Sequence, residues 1–398
     1  MKCVYLSTMH EEVNGPTRAI GDSARAVVEA LLVAGPLSRA DLSRRLALSP
    51  GALTKITRPF VDAGFLVELQ GEAAGSLGRP SMPLDLDAEF AHFVGIKLTS
   101  DALYGVFTDA RANVLDQQER VLDDMSVENA VRTIAEVVAS FRATRGAPEG
   151  IGICLSGNAS RDDSSVRNSP FLHWSGVPLA DLVRDATGLP TVLENDVRAL
   201  TAAEQWFGES ADLDSFALLT FGAGIGCGMV TNGMQIEGLH GASGLIGHTP
   251  IDERGPLCYA GHRGCAHAFA TIGGVTRSIS AAHAVTQLSF DECVELVKQG
   301  DPVAKRVFDE AGSAIGALVA LVINLLGPQK VFISGEGALM YELGAEAAKA
   351  RLHELLHWTA SEVPIVVQPF GFGEWARGAA VVAVQQHIRS LTSIDAGS

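Results

Sequence analysis

The chain lacks any run of about 18 uncharged apolar residues, so no membrane-spanning helix is expected. Its longest apolar stretch, residues 314–326, is too short to span and reads as a buried helix. The opening MKCVYLSTMHEE has no basic segment followed by an apolar one, which argues against a secretory signal. Cysteine is sparse, with six in 398 residues at positions 3, 154, 227, 258, 265 and 293. Only Cys258 and Cys265 lie close together, so a disulfide framework is not expected and a reducing cytoplasm is the expected compartment. Excess positive charge is also missing. The net charge is −16, and a field of that sign does not steer a protein to nucleic acid. What remains is an ordinary soluble α/β composition, 47% hydrophobic, 6% aromatic and 19% charged, long enough for two or three domains.

The charge is unevenly spread. Residues 18–70 hold seven basic side chains (Arg18, Arg25, Arg39, Arg44, Arg45, Lys55 and Arg58) against five acids (Asp22, Glu29, Asp41, Asp62 and Glu68), a balance of +2. A basic module joined to an acidic body hints at a nucleic-acid reader. Residues 1–16 have no period and read as a loose tail. From Arg18 to Ala34, the residues Ile20, Ala24, Val27, Val28, Leu31 and Leu32 form one apolar stripe, which predicts an amphipathic helix stopped by Gly35-Pro36. Ser38 is a capping residue for a second helix with Leu42 and Leu46 as its seam. Ser49-Pro50 opens a third, a cap followed by proline at the first helical position, and Gly64 closes it. Pro59 inside this helix predicts a kink or an early end. A strand near 65–69, a glycine-rich turn and a return strand near 82–86 complete a winged helix-turn-helix over residues 17–86. The third helix would enter the major groove. Ser49, Gly51, Thr54, Lys55 and Arg58 are its outward candidates, with Arg79 in the wing; the plain alternative is a solvated helix face.

Beyond residue 90, strands and helices alternate, which predicts an α/β fold. A strand–turn–strand pattern at 93–109 recurs at 216–231, suggesting two related lobes around a cleft. The expected division is a first lobe over 90–195 with a closing helix near 378–390, and a second over 196–377. Residues 219–267 carry the densest chemistry. Two glycine turns end at His248, and Cys258, His262, Cys265 and His267 follow. Glycine at this density marks tight turns or close approach, and His with Cys at short spacing suggests a metal.

Together LSPGALTKITRPFVDAGFL, GRPSMPL, LENDVRALTAAEQWFG, FGAGIGCG, GLIGH, CYAGHRGC and INLLGPQKVFISGEG carry a resemblance over nearly the whole chain. The chain resembles the ROK family, and within it the sugar-responsive repressors. The resemblance implies a winged helix-turn-helix before a two-lobed, actin-like (ribonuclease H-like) ATPase fold. It further implies a homodimer or tetramer on a palindromic double-stranded DNA site and a sugar or sugar phosphate as effector.

Residue by residue, the resemblance is uneven. The family's kinases open their first hairpin with D-x-G-G-T; here Lys97 replaces the acid, Thr99 and Ser100 the glycines, and Asp101 the threonine. In the second hairpin Ala223 replaces a threonine, so ATP is not expected and the surviving glycines read as hairpin geometry. Glu194-Asn195-Asp196 does match. In the kinases the aspartate is the general base; here Asp196 has two open readings, a contact to ligand hydroxyls or an N-cap for the following helix. Ser156, Gly157, Asn195, Asp196, His248 and His267 form the expected effector site. Leu245 and His267 replace two family acids, which argues against a hexose held by carboxylates. The family's four-ligand zinc pattern keeps His248, Cys258 and Cys265 but has Ala260 for a cysteine. His262 would complete a Cys₂His₂ set; otherwise the loop is zinc-free. The expectation is a DNA-binding regulator, a repressor, with a catalytically silent body. A sugar kinase fused to a DNA reader and an effector-independent DNA-binding protein are the alternatives.

Overall fold

The computed structural model describes residues 18–19, 21–69, 82–160, 164–368, 371–390 and 393–394. The chain divides into two compact units. One comprises residues up to Ala91 together with Gln385 onward, and the other spans His92–Val384.

In the first unit, strand β1 (Arg18–Ala19) pairs antiparallel with Ser393–Ile394. The expected first helix therefore starts later, as α1 (Asp22–Ala34), because Arg18 and Ala19 are taken into that pairing. Its stripe of Ala24, Val27, Val28, Leu31 and Leu32 is buried, as the period requires. Helix α2 (Arg39–Arg45) is capped by the Ser38 hydroxyl, which accepts from the Asp41 N–H at 3.1 Å. Helix α3 (Pro50–Asp62) is capped by Ser49 in the same way and buries Leu53, Thr57 and Phe60. Pro59 does not end it early. Proline there removes one backbone bond, but Phe60 is locked in an aromatic set with Phe65 and Phe90. The Ala63 N–H also closes the last turn on the Pro59 carbonyl at 3.1 Å. Packing outweighs the roughly 3 kcal/mol that proline costs in a helix. Strands β2 (Leu66–Glu68) and β3 (Leu84–Leu86) pair antiparallel with Leu66 opposite Leu86, both shorter than the sequence suggests. Arg79 lies outside the described residues.

The larger unit holds two five-stranded sheets of the same plan. The first is built from β4 (His92–Leu98), β5 (Ala102–Asp109), β6 (Val114–Val121), β7 (Gly150–Leu155) and β11 (Thr191–Asn195), in the order β11-β7-β4-β5-β6. A small sheet of β8 (Asn158–Ser160), β9 (Ser165–Ser169) and β10 (Trp174–Val177) lies between β7 and β11 in the chain. The second large sheet is β14-β13-β12-β15-β16, from β12 (Phe216–Phe221), β13 (Ile225–Thr231), β14 (Met234–Gln235), β15 (Lys330–Ser334) and β16 (Ile365–Gln368). Each is three parallel strands continued by an antiparallel hairpin and a third return strand. The hairpin that recurs in the sequence is thus the start of each half of a duplicated, actin-like α/β fold.

Helices α4 (Val127–Arg145) and α5 (Leu179–Thr187) cover the first sheet, and α6 (Asp196–Phe207) follows it. After α7 (Ala266–Phe269), α8 (Ile272–Ala282) and α9 (Phe290–Lys298), the second core is dominated by α10 (Pro302–Leu326). This helix has 25 residues, twice the expected apolar stretch, and is long and apolar enough to cross a membrane. It is instead a core helix, with 61% of its most apolar window buried. The sheet of β12 and β15 shares that core. Helices α11 (Leu339–Leu343), α12 (Ala345–Leu355) and α13 (Phe372–Ser390) complete the chain of elements. The last crosses the first sheet at backbone contact. A Cβ on Gly95 would lie 1.9 Å from the Ala376 carbonyl oxygen, and one on Gly152 1.8 Å from that of Ala379. Only glycine on β4 and β7 lets α13 approach so far, and this brings Trp375 to Lys97.

Candidate functional site

Strand β11 ends on Glu194-Asn195, and α6 begins at Asp196, so the three polar residues sit at a strand-to-helix corner. Asn195, not Asp196, caps the helix: its side-chain oxygen accepts from the Arg198 N–H at 3.2 Å, and its amide donates to the Gly157 carbonyl at 2.9 Å. The capping reading of Asp196 is therefore corrected. Asp196 sits one residue further in, as the first residue of the helix. One oxygen of its carboxylate accepts from the Val197 N–H at 2.9 Å, and the other faces the Lys97 ammonium at 2.5 Å. Both side chains are buried. Lys97 is further enclosed by the Trp375 ring, 5.0 Å from Nζ to its centroid. Burial alone would lower the Lys97 pKa; the field and hydrogen bond of Asp196, with the field of Glu336, outweigh it and hold the ammonium above the usual lysine value. The Asp196 carboxylate is thus already matched by a cation of the same chain.

The neighbouring polar groups are matched as well. Glu194 accepts from Arg198 Nε at 2.7 Å and from the Asn195 N–H at 2.9 Å. The Arg198 guanidinium also donates to the carbonyls of Ala159 and Glu237, which ties β8 to the loop before residue 241. Ser156 accepts the Ser169 hydroxyl on its carbonyl at 2.6 Å, and Gly157 takes φ 129, a left-handed-side conformation that glycine tolerates. Cys154 beside Lys97 and Cys227 on β13 are pushed up to about 12 by burial, so neither is a thiolate near neutral pH.

The second glycine turn lies between β12 and β13. Its Gly222 faces Glu336: a Cβ there would lie 2.2 Å from Glu336 Oε1. The same oxygen accepts from the Ala223 N–H at 3.3 Å. Lys97 is thus paired with Asp196 and also lies in the field of a second acid, Glu336. The substitution at Lys97 was visible in the sequence, but its partner was not, since 99 positions separate it from Asp196. Glu336 between two glycines was the only written sign of that second acid.

His248, Cys258, His262 and Cys265 gather their donor atoms within 4.8 Å of one another. Cys258 Sγ lies 3.7 Å from Nδ1 of both His248 and His262, and Cys265 Sγ lies 3.6 Å from His248 Nδ1. Zinc bonds of about 2.3 Å to sulfur and 2.0–2.1 Å to nitrogen at tetrahedral angles put S and N about 3.6 Å apart, so the donor set fits. The loop is shaped by its own backbone. Cys258 N–H donates to the His262 carbonyl at 2.9 Å, and Gly261 N–H returns to Cys258 at 3.0 Å, which turns His262 back to where Ala260 offers nothing. Burial raises the Cys258 thiol, but the N–H groups of Ala260, His262 and Gly261 outweigh it and bring it below the usual value. His267 stacks on His248 with centroids 5.3 Å apart, and its N–H is held by the Gly247 carbonyl at 2.7 Å. His248 and His267, expected beside the effector, thus belong to the cysteine loop. Leu245 stands 80% exposed nearby in sequence, where a glutamate would offer two acceptors.

On α3, Ser49 is spent on its cap, while Gly51, Thr54, Lys55 and Arg58 are exposed. The Thr54 hydroxyl returns to the Pro50 carbonyl at 2.9 Å, and Arg58 pairs loosely with Asp62 at 3.8 Å. Arg44 and Arg45, on α2, are exposed too and were not singled out.

Three comparisons bear on this arrangement. The ROK family pattern matches residues 93–386. The DNA-binding transcriptional repressor Mlc of Escherichia coli is 27% identical over 326 residues, covering 78% of this chain and 80% of that protein. The crystal structure of a ROK family transcriptional regulator, described as a homologue of the Escherichia coli Mlc protein, superposes with a TM-score of 0.79 at 27% identity, over 92% of this chain and 95% of the other. The ROK hexokinase of Thermus thermophilus gives a TM-score of 0.65 at 26% identity, covering all of that enzyme but 75% of this chain.

Proposed function

This chain belongs to the ROK family, and from that membership we propose that it is a DNA-binding transcriptional regulator, a repressor, with a kinase-derived body that does not catalyse. The observation that carries the reading is the extent of the likeness. The hexokinase matches three quarters of the chain, whereas the regulator matches 92%, reaching into the N-terminal unit that presents α3. The exposed face of α3 would read the major groove of a palindromic site, with Arg58 and Lys55 reaching guanine or phosphate and Thr54 either base or backbone. Gly51 leaves room for close approach, since nothing lies within 4 Å of where its Cβ would be. Two copies, or four, would supply the paired reading helices. The body would hold an effector, a sugar or sugar derivative, near Ser156, Gly157, Asn195 and Asp196, and control of DNA binding then requires unequal affinity for two states. His248, Cys258, His262 and Cys265 would hold a structural zinc, which would cross-link the loop and supply no reaction of its own.

The Lys97–Asp196 pair supports the non-catalytic reading. A general base must be free to take a proton, and this one is held by a buried ammonium at 2.5 Å. Footprinting on genomic fragments at physiological salt tests the DNA reading. Protection of a palindromic site is expected, with Arg58→Ala weakening it by about 1–3 kcal/mol and Lys55→Ala lowering the salt slope by about one. Absence of any site-specific protection would overturn it. A kinase reading would instead require turnover of a sugar with ATP that Asp196→Asn abolishes.

A further inference from the structure

The second glycine turn already has an anion against it, and the anion belongs to the chain. Glu336 Oε1 would lie 2.2 Å, Cδ 2.4 Å and Oε2 2.8 Å from a Cβ on Gly222, so the whole carboxylate rests on that glycine. The same Oε1 accepts from the Ala223 N–H. Its carrying loop is bonded to the strand that leads into the turn: the Gly337 N–H donates to the Phe221 carbonyl at 2.8 Å, and Gly335, at φ 93, sits where a Cβ would lie 2.5 Å from that same oxygen. The loop that carries the carboxylate is therefore tied by its backbone to the strand leading into the turn. Ala223 and Glu336 are exposed, so a solute entering from water meets them first.

A glycine turn that presents backbone N–H groups is a concavity suited to anions. Here it is filled from within. Lys97 feels the field of Glu336 and is itself matched by Asp196. We infer that Glu336 is a specificity-determining residue that acts as a built-in anion on the Gly222–Ala223 turn and excludes polyphosphate ligands from it by occupancy and repulsion. The fold that could cradle such a ligand is retained; two side chains, Glu336 and Lys97, take the places a polyphosphate and its counter-cation would need. The inference goes beyond the DNA-binding reading and does not depend on it.

Calorimetric titration of the full chain with MgADP tests this, using the wild type, Glu336→Gly and Glu336→Gln, each checked for folding by circular dichroism. The wild type is expected to show no heat of binding, and Glu336→Gly to bind at least about tenfold more tightly, a gain of 1.4 kcal/mol or more. Glu336→Gln, which keeps the shape and removes the charge, is expected to fall between them and decides the matter if the glycine variant does not fold. Binding of MgADP by the wild type would overturn the inference. So would folded variants that bind no better than it. DNA protection measured on the same proteins separates this outcome from the regulator reading.

Discussion

Replacing Asp196 by Asn should destabilise the protein by about 3–5 kcal/mol, because it leaves the Lys97 ammonium buried without its counter-ion. Lys97 is 4% exposed, with Trp375 on one side and Cys154 nearby, so water cannot take over the lost interaction. Against a total stability on the order of 5–15 kcal/mol, this is a large fraction. Lys97→Met should cost a similar amount, since Asp196 is 7% exposed and keeps only the Val197 N–H. The double variant removes both charges and should lie within about 2 kcal/mol of the wild type, giving a coupling energy of at least about 4 kcal/mol in magnitude. Urea denaturation followed by tryptophan fluorescence and circular dichroism measures all four corners of the cycle. The pH dependence has a definite sign. Lys97 is held above its ordinary value in the fold, so its contribution is fully present below about pH 10.4 and is lost as pH rises through the raised value. In Asp196→Asn burial dominates and lowers the folded value, so stability should instead rise as pH approaches the ordinary lysine value. A loss under about 1 kcal/mol in Asp196→Asn, or a coupling energy near zero, would refute the buried-pair argument, since exposed pairs are worth no more than that.

Three further outcomes follow from local geometry. Ala47, in the turn between α2 and α3, takes φ 52, which costs a non-glycine residue about 1–2 kcal/mol, so Ala47→Gly should stabilise the protein by roughly 0.5–1 kcal/mol in chemical denaturation. Gly95→Ala would put a methyl 1.9 Å from the Ala376 carbonyl oxygen, and a melt should show a loss of about 3 kcal/mol or failure to fold. If the His–Cys cluster holds zinc, the purified protein should contain about one ion per chain, and Cys258→Ser and His262→Ala should each lower that content while Ala260→Ser leaves it unchanged, as read by elemental analysis.

Much of the architecture was legible in the residues because its causes are local. Ser38 and Ser49 cap their helices through bonds three residues long, and the stripe of α1 is set by a period of 3.6. The recurrence of a strand pair at 93 and 216 announced two halves, since each hairpin starts an identical sheet. The misjudged points have distant causes. Arg18 and Ala19 leave α1 because a segment more than 370 residues away pairs with them. The third helix outlasts Pro59 because Phe60 packs on Phe65, which in turn packs on Phe90. The stretch 314–326 grows into a 25-residue helix because a capped, polar first half, with Asp301 bonded to the Ala304 N–H, continues into it.

The candidate site divides along the same line. By itself the sequence determined which residues are available: a carboxylate at 196 without its usual companions, two cysteines and three histidines in one loop, and a helix with Lys55 and Arg58 on its outer face. Only the tertiary structure decided what those residues do to one another. It set Lys97 on Asp196, laid Glu336 against Gly222, moved the helix cap from Asp196 to Asn195, and turned His262 back toward Cys258. The physical reason is that charge pairing acts over a few ångströms in space but can join groups of any separation along the chain. Residue type specifies a group's charge and bonding capacity, while the fold alone specifies which partner neutralises it.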